Sequence, residues 1–355
     1  MSDLVARTAR YIAIPSVSGD EAAIADEIEA TLRAASHLEV TRLGDNIVAR
    51  TASERRHRVV VAGHIDTVPG DPSRARVDEG VVTGLGACDM KGSIAVMVEL
   101  ALAQDTYASE LTWVFYAREE IAREHSGLLE VSRKAPGLLR GDVALLCEPT
   151  GCRVEAGCQG TVRIRLTLRG VRAHTARPWR GRNAIHRLVG PLEAAAGYVP
   201  RQAVVDGVTY TEQLQVVGIE GGVSSNVVPD VAQLTINHRV APDRTIDDAL
   251  DALHGLFDRF IEDADDFEVM DSASPAPPSL TDPTIARLIS LCGEAPRAKL
   301  GYTDVSTFSS FGVPAVNFGA GDPELAHHPD ECVSAEQLDR CFSVLSALLD
   351  TSSAG

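Results

Sequence analysis

The sequence predicts an α/β protein, a mixed and mainly parallel sheet with helices on both faces, carrying an inserted two-layer α+β domain. Three observations lead there. The first half alternates short β-branched runs with helically spaced apolar residues, the pattern of strands joined by crossover helices. From about Thr161 the pattern changes to long apolar–polar alternation, which marks half-exposed antiparallel strands. Beyond a proline-rich stretch, Pro275, Pro277 and Pro278, the first style resumes. At 355 residues the chain is longer than one compact domain usually runs. The expected division is therefore one domain of residues 1–160 and 272–355 around an insert of residues 161–271.

The elements follow in order. Asp20 to Ala35 has helical spacing, with Ile24, Ile28 and Leu32 on one face. Val59 to Ala62, Leu111 to Ala117 and Val143 to Cys147 read as buried strands, with a helix from Ile94 to Ala103 between the first two. In the insert, Thr161 to Leu168 and Val231 to Arg239 alternate as strands, while Arg182 to Ala196 and Ile246 to Ile261 read as helices. A helix (Asp282 to Cys292), a strand (Ala315 to Phe318) and a terminal helix (Ser334 to Leu349) complete the outer domain.

Composition narrows the class. A formal net charge of −17 opposes binding to nucleic acid and to anionic membrane surfaces. No apolar run approaches the roughly 20 residues of a membrane span, and Met1 to Arg10 lacks a signal-peptide core, so the expected location is the cytoplasm. The 7 cysteines, odd in number and scattered, read as reduced thiols. The charge is uneven: Thr161 to Gly190 contains no acid but holds Arg163, Arg165, Arg169, Arg172, Arg177, Arg180, Arg182 and Arg187. Such a stretch suggests a local anion site, although most of these arginines are expected to meet carboxylates elsewhere in the fold.

The chemistry-bearing residues share a placement. His64 and Asp66, Glu119 and Glu120, and Glu148 each lie just past an expected buried strand. In open α/β sheets such positions converge on the crevice beyond the strands' carboxyl ends. A glycine-punctuated loop, Gly84 to Gly92, presents Asp89 ahead of a helix, and Ala326 to Glu331 adds His327 and His328. The resulting set is imidazole and carboxylate without thiolate. It suits zinc at a hydrolytic centre, with cobalt or manganese as substitutes. Asp66, two residues past His64, is placed to orient that imidazole.

These blocks resemble the di-zinc metallopeptidase family that includes aminoacylases, glutamate carboxypeptidases, acetylornithine deacetylase and succinyl-diaminopimelate desuccinylase. The matching residues are Gly63 to Pro69, Cys88 to Gly92, Glu119-Glu120, Glu148-Pro149 and the His327 segment, in family order. The resemblance implies a zinc-peptidase-like catalytic domain with a lid that also dimerises, and two zinc ions per subunit. His64 and Glu148 would hold one ion, Glu120 and His327 the other, with Asp89 shared. Glu119 would be the general base and acid that moves a proton from the attacking water to the leaving amine. His327 is preferred over His328 because the family places its histidine four residues before a glutamate, here Glu331.

In the insert, Arg169 to Pro178 is similar to the family segment whose histidine, here His174, stabilises the oxyanion, often across a dimer. Asn226, in Gly221 to Pro229, and Arg239 resemble substrate-contacting positions. Ala298 to Phe308, Gly312 to Gly319 and Arg182 to His186 are similar to the actinobacterial form of succinyl-diaminopimelate desuccinylase. That substrate carries three carboxylates, which guanidinium groups bind in bidentate fashion, and Arg177, Arg180 and Arg239 are the candidates. The implied activity is removal of succinate from N-succinyl-LL-2,6-diaminopimelate by a homodimer. The alternatives are an N-acetylornithine deacetylase, a related aminoacylase, dipeptidase or carboxypeptidase, and a metal-free, non-catalytic metabolite binder.

Overall fold

The computed structural model describes residues 3–52, 55–71, 75–103 and 107–350. The chain divides into two compact units, Met1–Gly157 with Pro278–Arg297 and Thr307–Gly355, and Cys158–Pro277 with Ala298–Ser306.

The first unit is built on an eight-stranded sheet. Its order is Glu39–Leu43, Asn46–Arg50, Glu110–Tyr116, Arg58–His64, Val143–Leu146, Ala315–Asn317, Glu155–Ala156 and Arg297–Ala298. Arg58–His64 runs parallel to both Glu110–Tyr116 and Val143–Leu146, and Ala315–Asn317 is parallel to the latter. These central strands are buried almost throughout, which is why they read as continuous apolar runs and not as alternation. The crossover helix Gly92–Ala103 is also apolar nearly all round, because it is buried against Asp3–Ile12 and Ala335–Leu349 as well as the sheet.

The second unit is a four-stranded antiparallel sheet in the order Leu214–Gly221, Val231–Val240, Gly160–Arg169 and Asp266–Ala273. Val162, Ile164, Leu166, Leu168, Leu234 and Ile236 form its buried face, together with Leu188, Leu253 and Phe257 from the covering helices. A charged knot is embedded here. The fully buried Glu212 accepts hydrogen bonds from Arg201 (3.0 Å), Arg244 (2.7 Å) and the Ala241 amide (2.9 Å).

The strands and helices expected from the sequence are present, with local differences. The helix expected over Arg182 to Ala196 is two pieces, Ala184–Arg187 and Val189–Ala196. Pro191 has no N–H to give the Arg187 carbonyl and its ring crowds that carbonyl, so the first piece cannot continue. Asn183 instead caps the first piece, accepting from the Ile185 and His186 amides. The amphipathic helix Asp3–Ile12 and the hairpin Glu39–Leu43 with Asn46–Arg50 carried no expectation. No helix among the described residues is long and apolar enough to cross a membrane.

Candidate active site

The parallel sheet explains why distant residues meet. His64 ends its strand and lies opposite Tyr116, while Ala62 lies opposite Leu146. The residues that follow, Glu119 and Glu120 on one side and Glu148 on the other, therefore emerge at the same end. Asp89 comes from the loop before Gly92–Ala103. Gly63 makes that approach possible: a Cβ there would meet Met90 Cε at 2.5 Å, and the His64 amide donates to Met90 Sδ at 3.4 Å. Gly86 opens the loop with φ +80°, where a side chain would also meet Thr67 Cγ2 at 2.8 Å.

The six residues assigned to this centre come together in overlapping groups. His64, Asp89 and Glu148 offer ligand atoms within 4.8 Å of one another, as do Asp89, Glu120 and His327, and also His64, Glu119 and Glu120. Asp89 belongs to two of these groups, and its two oxygens face different histidines. Its Oδ1 lies 3.0 Å from His64 Nε2 and its Oδ2 lies 3.5 Å from His327 Nε2. His327 Nε2 is also 2.8 Å from Glu120 Oε1. Its neighbour His328 turns away, its Nδ1 accepting from the Asp330 amide at 3.2 Å, and takes no part in any of these groups.

The electrostatics are those of a site that wants positive charge. Burial opposes protonation of His64, but Asp66 and Asp89 outweigh it and raise its pKa well above the ordinary value. Asp89 and Glu120 push His327 up to about 10. Burial would raise the Asp89 carboxyl, yet the two histidines hold it well below the carboxylate range. Both ring nitrogens of His64 face oxygen, Nδ1 the Asp66 carbonyl at 3.1 Å and Nε2 the Asp89 carboxylate. A neutral imidazole has one N–H, which it can give to the carbonyl, leaving a lone pair aimed at a carboxylate. A cation between them reconciles that contact, and the imidazole and carboxylate donor set fits a pair of divalent ions.

Around the centre, buried carboxylates grip backbone amides. Glu331 Oε1 accepts from the Cys88 and Asp89 amides at 2.9 Å each, and its Oε2 accepts from Gly86 at 2.9 Å. Asp66 Oδ1 accepts from the Glu119 amide at 3.0 Å, and Oδ2 accepts from Glu120 at 3.1 Å and from the Ser18 hydroxyl at 2.6 Å. Asp66 thus holds the turn that carries both glutamates as well as standing beside His64. Glu21 Oε1 takes the preceding amide, that of Arg118, at 3.1 Å. Arg118 adopts φ +60°, a left-handed conformation that costs a non-glycine residue about 1–2 kcal/mol. Sequence reasoning missed Ser18 and Glu21, which nothing in their local pattern sets apart, and used Glu331 only as a spacing marker.

The second unit holds the remaining assigned residues. Of the arginines in the acid-free stretch, Arg163, Arg165, Arg169, Arg172, Arg182 and Arg187 pair with Asp271, Glu268, Asp266, Asp230, Glu262 and Asp265 respectively. Arg177 and Arg180 have no carboxylate partner among the described residues, and they line an open depression of about 740 Å³ with Arg172, His174 and Trp179. Arg239 is half-buried, burial lowers its pKa, and among the described residues it too has no carboxylate partner. His174 Nδ1 accepts from the Ala176 amide at 3.0 Å, which leaves Nε2 as the N–H donor. His174 pairs with Val227 across a short two-stranded ladder, and the Thr175 amide donates to the Asn226 carbonyl at 3.0 Å. His174 and Asn226 are thereby neighbours, whereas Arg239 lies on a separate strand opposite Thr161.

Comparison with known proteins gives a consistent result. The family described as Peptidase family M20/M25/M40 matches residues 60–351. A Mycobacterium tuberculosis chain carrying the name succinyl-diaminopimelate desuccinylase DapE is 47% identical over 98% of both chains. The succinyl-diaminopimelate desuccinylase of Corynebacterium glutamicum is 42% identical over 98% of this chain and 96% of its own. Among solved structures, aminopeptidase PepT of Bacillus cereus superposes with a TM-score of 0.78 at 18% identity, covering 98% of this chain and 97% of its own. The Bacillus subtilis YXEP protein, a dinuclear metal-binding peptidase, gives a TM-score of 0.68 at 15% identity over 98% and 96%.

Proposed function

The chain belongs to peptidase family M20/M25/M40, and from that premise we propose that it is a metal-dependent amide hydrolase removing succinate from N-succinyl-LL-2,6-diaminopimelate. The observation that carries the substrate is the sorting of arginines in the second unit. Most are neutralised by acids on adjoining segments, while Arg177, Arg180 and Arg239 are not. Arg239 is half-buried, where a guanidinium without a carboxylate is costly unless a ligand supplies one, while Arg177 and Arg180 are exposed and available to further carboxylates; this substrate carries three. N-acetylornithine offers a single carboxylate and a cationic amine, so it would leave most of that capacity unused.

His64 and Glu148 would hold one divalent cation and Glu120 and His327 the other, with Asp89 facing both, and zinc is the ion proposed. When bound, the cations would supply Lewis-acid polarisation of the amide carbonyl and make water a nucleophile at neutral pH. Glu119 would accept the proton of the attacking water and pass it to the nitrogen that leaves. Asp66 fixes the tilt of the His64 ring and the amides of Glu119 and Glu120. His174, through Nε2–H, would donate to the carbonyl oxygen as it gains negative charge, and Asn226 would assist in holding the substrate. We further propose a cytoplasmic homodimer formed through the second unit, with no nucleic-acid or membrane partner.

The test is a side-by-side assay of metal-stripped and zinc-loaded protein on N-succinyl-diaminopimelate, N-acetylornithine and a dipeptide panel. Zinc-dependent hydrolysis that favours the succinyl compound supports the reading. Preference for acetylornithine or a dipeptide moves the protein to another branch of the family. Absence of hydrolysis with any metal leaves the binding-protein alternative.

A further inference from the structure

We propose that Glu21 is a positioning residue for the general base Glu119, acting through the backbone of the turn that carries it; the inference rests on the role given to Glu119 above. Glu21 stands at the N-cap position of helix Ala22–Arg33, where a side chain ordinarily satisfies the helix's own amides, yet it makes no capping hydrogen bond. Its Oε1 instead accepts from the Gly19 amide at 2.9 Å and from the Arg118 amide at 3.1 Å, 97 residues away in sequence. The carboxylate is buried.

The placement is enforced from both sides. Residues Ser16 to Ser18 run beside Ile65 to Thr67: the Ser16 hydroxyl donates to the Ile65 carbonyl at 2.8 Å, the Thr67 amide to the Ser16 carbonyl at 2.9 Å, and the Ser18 amide to the Thr67 carbonyl at 3.1 Å. That ladder sets the Ser18–Glu21 corner against Asp66, to which Ser18 also donates. On the other side, the Arg118 side chain is tied to the His125 carbonyl at 2.8 Å and to Glu130 at 2.5 Å. Three successive amides, of Arg118, Glu119 and Glu120, are thus met by carboxylate oxygens of Glu21 and Asp66. Arg118, at φ +60°, is the left-handed residue that opens this turn.

What Glu21 must supply is an acceptor at a fixed reach, not a charge. Two variants separate these requirements. Glu21→Gln keeps the acceptor oxygen at the same reach, and Glu21→Asp keeps the charge but draws it back by one methylene. Positioning predicts that Glu21→Gln retains kcat near wild type while Glu21→Asp loses about 10- to 100-fold in kcat. KM and metal stoichiometry should be unchanged in both, assayed on whichever amide the wild-type protein hydrolyses, so that a wrong substrate assignment leaves the test intact. A second readout needs no turnover: amide hydrogen exchange at Arg118 to Glu120 should be slow in wild type and Glu21→Gln and accelerated in Glu21→Asp. A Glu21→Asp protein with wild-type kcat and protection overturns the proposal. So does equal impairment of both variants, which would show that an acceptor at the native reach is not enough, or loss of metal and melting temperature along with kcat, which would assign Glu21 to folding.

Discussion

The two units handle charge in opposite ways. In the first, acids and histidines from distant parts of the chain are gathered at one end of a parallel sheet, facing one another. The buried carboxylates Asp66, Glu21 and Glu331 are spent on backbone amides that hold the gathering in shape. In the second, an arginine-rich stretch is laid along antiparallel strands and turns, and pairing with acids on adjoining segments removes most of its charge locally. A cluster of imidazoles and carboxylates is thus made by topology, while the recognition surface proposed above would be made by leaving a few members of a common residue type without a partner. The comparison predicts which substitutions matter and which do not.

The largest effect is expected at Glu119. Glu119→Gln should lower kcat by about 10²- to 10⁴-fold, the range for loss of general acid–base chemistry, with metal content by elemental analysis near wild type. Retention of turnover would remove the base from the site and leave the gathering without its proton carrier.

Next is the buried knot of the second unit, where charge is structural. Glu212→Gln leaves Arg244 without a carboxylate, while the more exposed Arg201 keeps Asp243 at 2.6 Å, and should cost about 3 kcal/mol in chemical denaturation at neutral pH. Burial pushes the Glu212 carboxyl up, but the hydrogen bonds of Arg201 and Ala241 and the charge of Arg244 more than offset this and hold its pKa below the ordinary value. A depressed carboxyl pKa stabilises the fold above the unfolded value of about 4.3 and loses that contribution as pH falls through the folded value. Denaturation midpoints measured from pH 7 downward should therefore converge for wild type and Glu212→Gln in acid. Parallel, offset curves would show that the Glu212 charge does not carry the knot's contribution, and coincident curves that the knot contributes nothing.

The unpartnered arginines come third. Arg180→Ala or Arg239→Ala should raise KM for the succinylated substrate about 10- to 100-fold, the worth of one charge-assisted hydrogen bond, and much less for a monocarboxylate analogue. Equal losses on both compounds would return these residues to a structural role. Smallest is the control. Arg165→Ala breaks an exposed pair with Glu268 at 3.5 Å and should change stability by under about 1 kcal/mol and leave KM alone. A KM effect there as large as at Arg239 would erase the distinction between paired and unpaired arginines.

Much of this was legible beforehand, for identifiable reasons. The strands Arg58–His64, Glu110–Tyr116 and Val143–Leu146 announce themselves because strands buried on both faces have no polar alternation to obscure them. His64, Asp89, Glu119, Glu120 and Glu148 stand at strand ends or in a glycine-marked loop, and their roles, with that of His327, came from the family resemblance of those blocks. Helix Asp3–Ile12 carried no expectation despite its amphipathic pattern.

By itself, then, the sequence determined the fold class and the inventory of groups able to hold metal, since periodicity and strand-end placement are local properties of the chain. The family resemblance already favoured His327 over His328, and the structure sets His327 against Asp89; only the tertiary structure decided which arginines stay unpartnered and that Glu21, Asp66 and Glu331 grip the loops of the centre. Those outcomes depend on which backbone amide or carboxylate lies within about 3 Å of a given side chain. Contacts of that kind join residues far apart in the chain, and no local pattern of residue types encodes them.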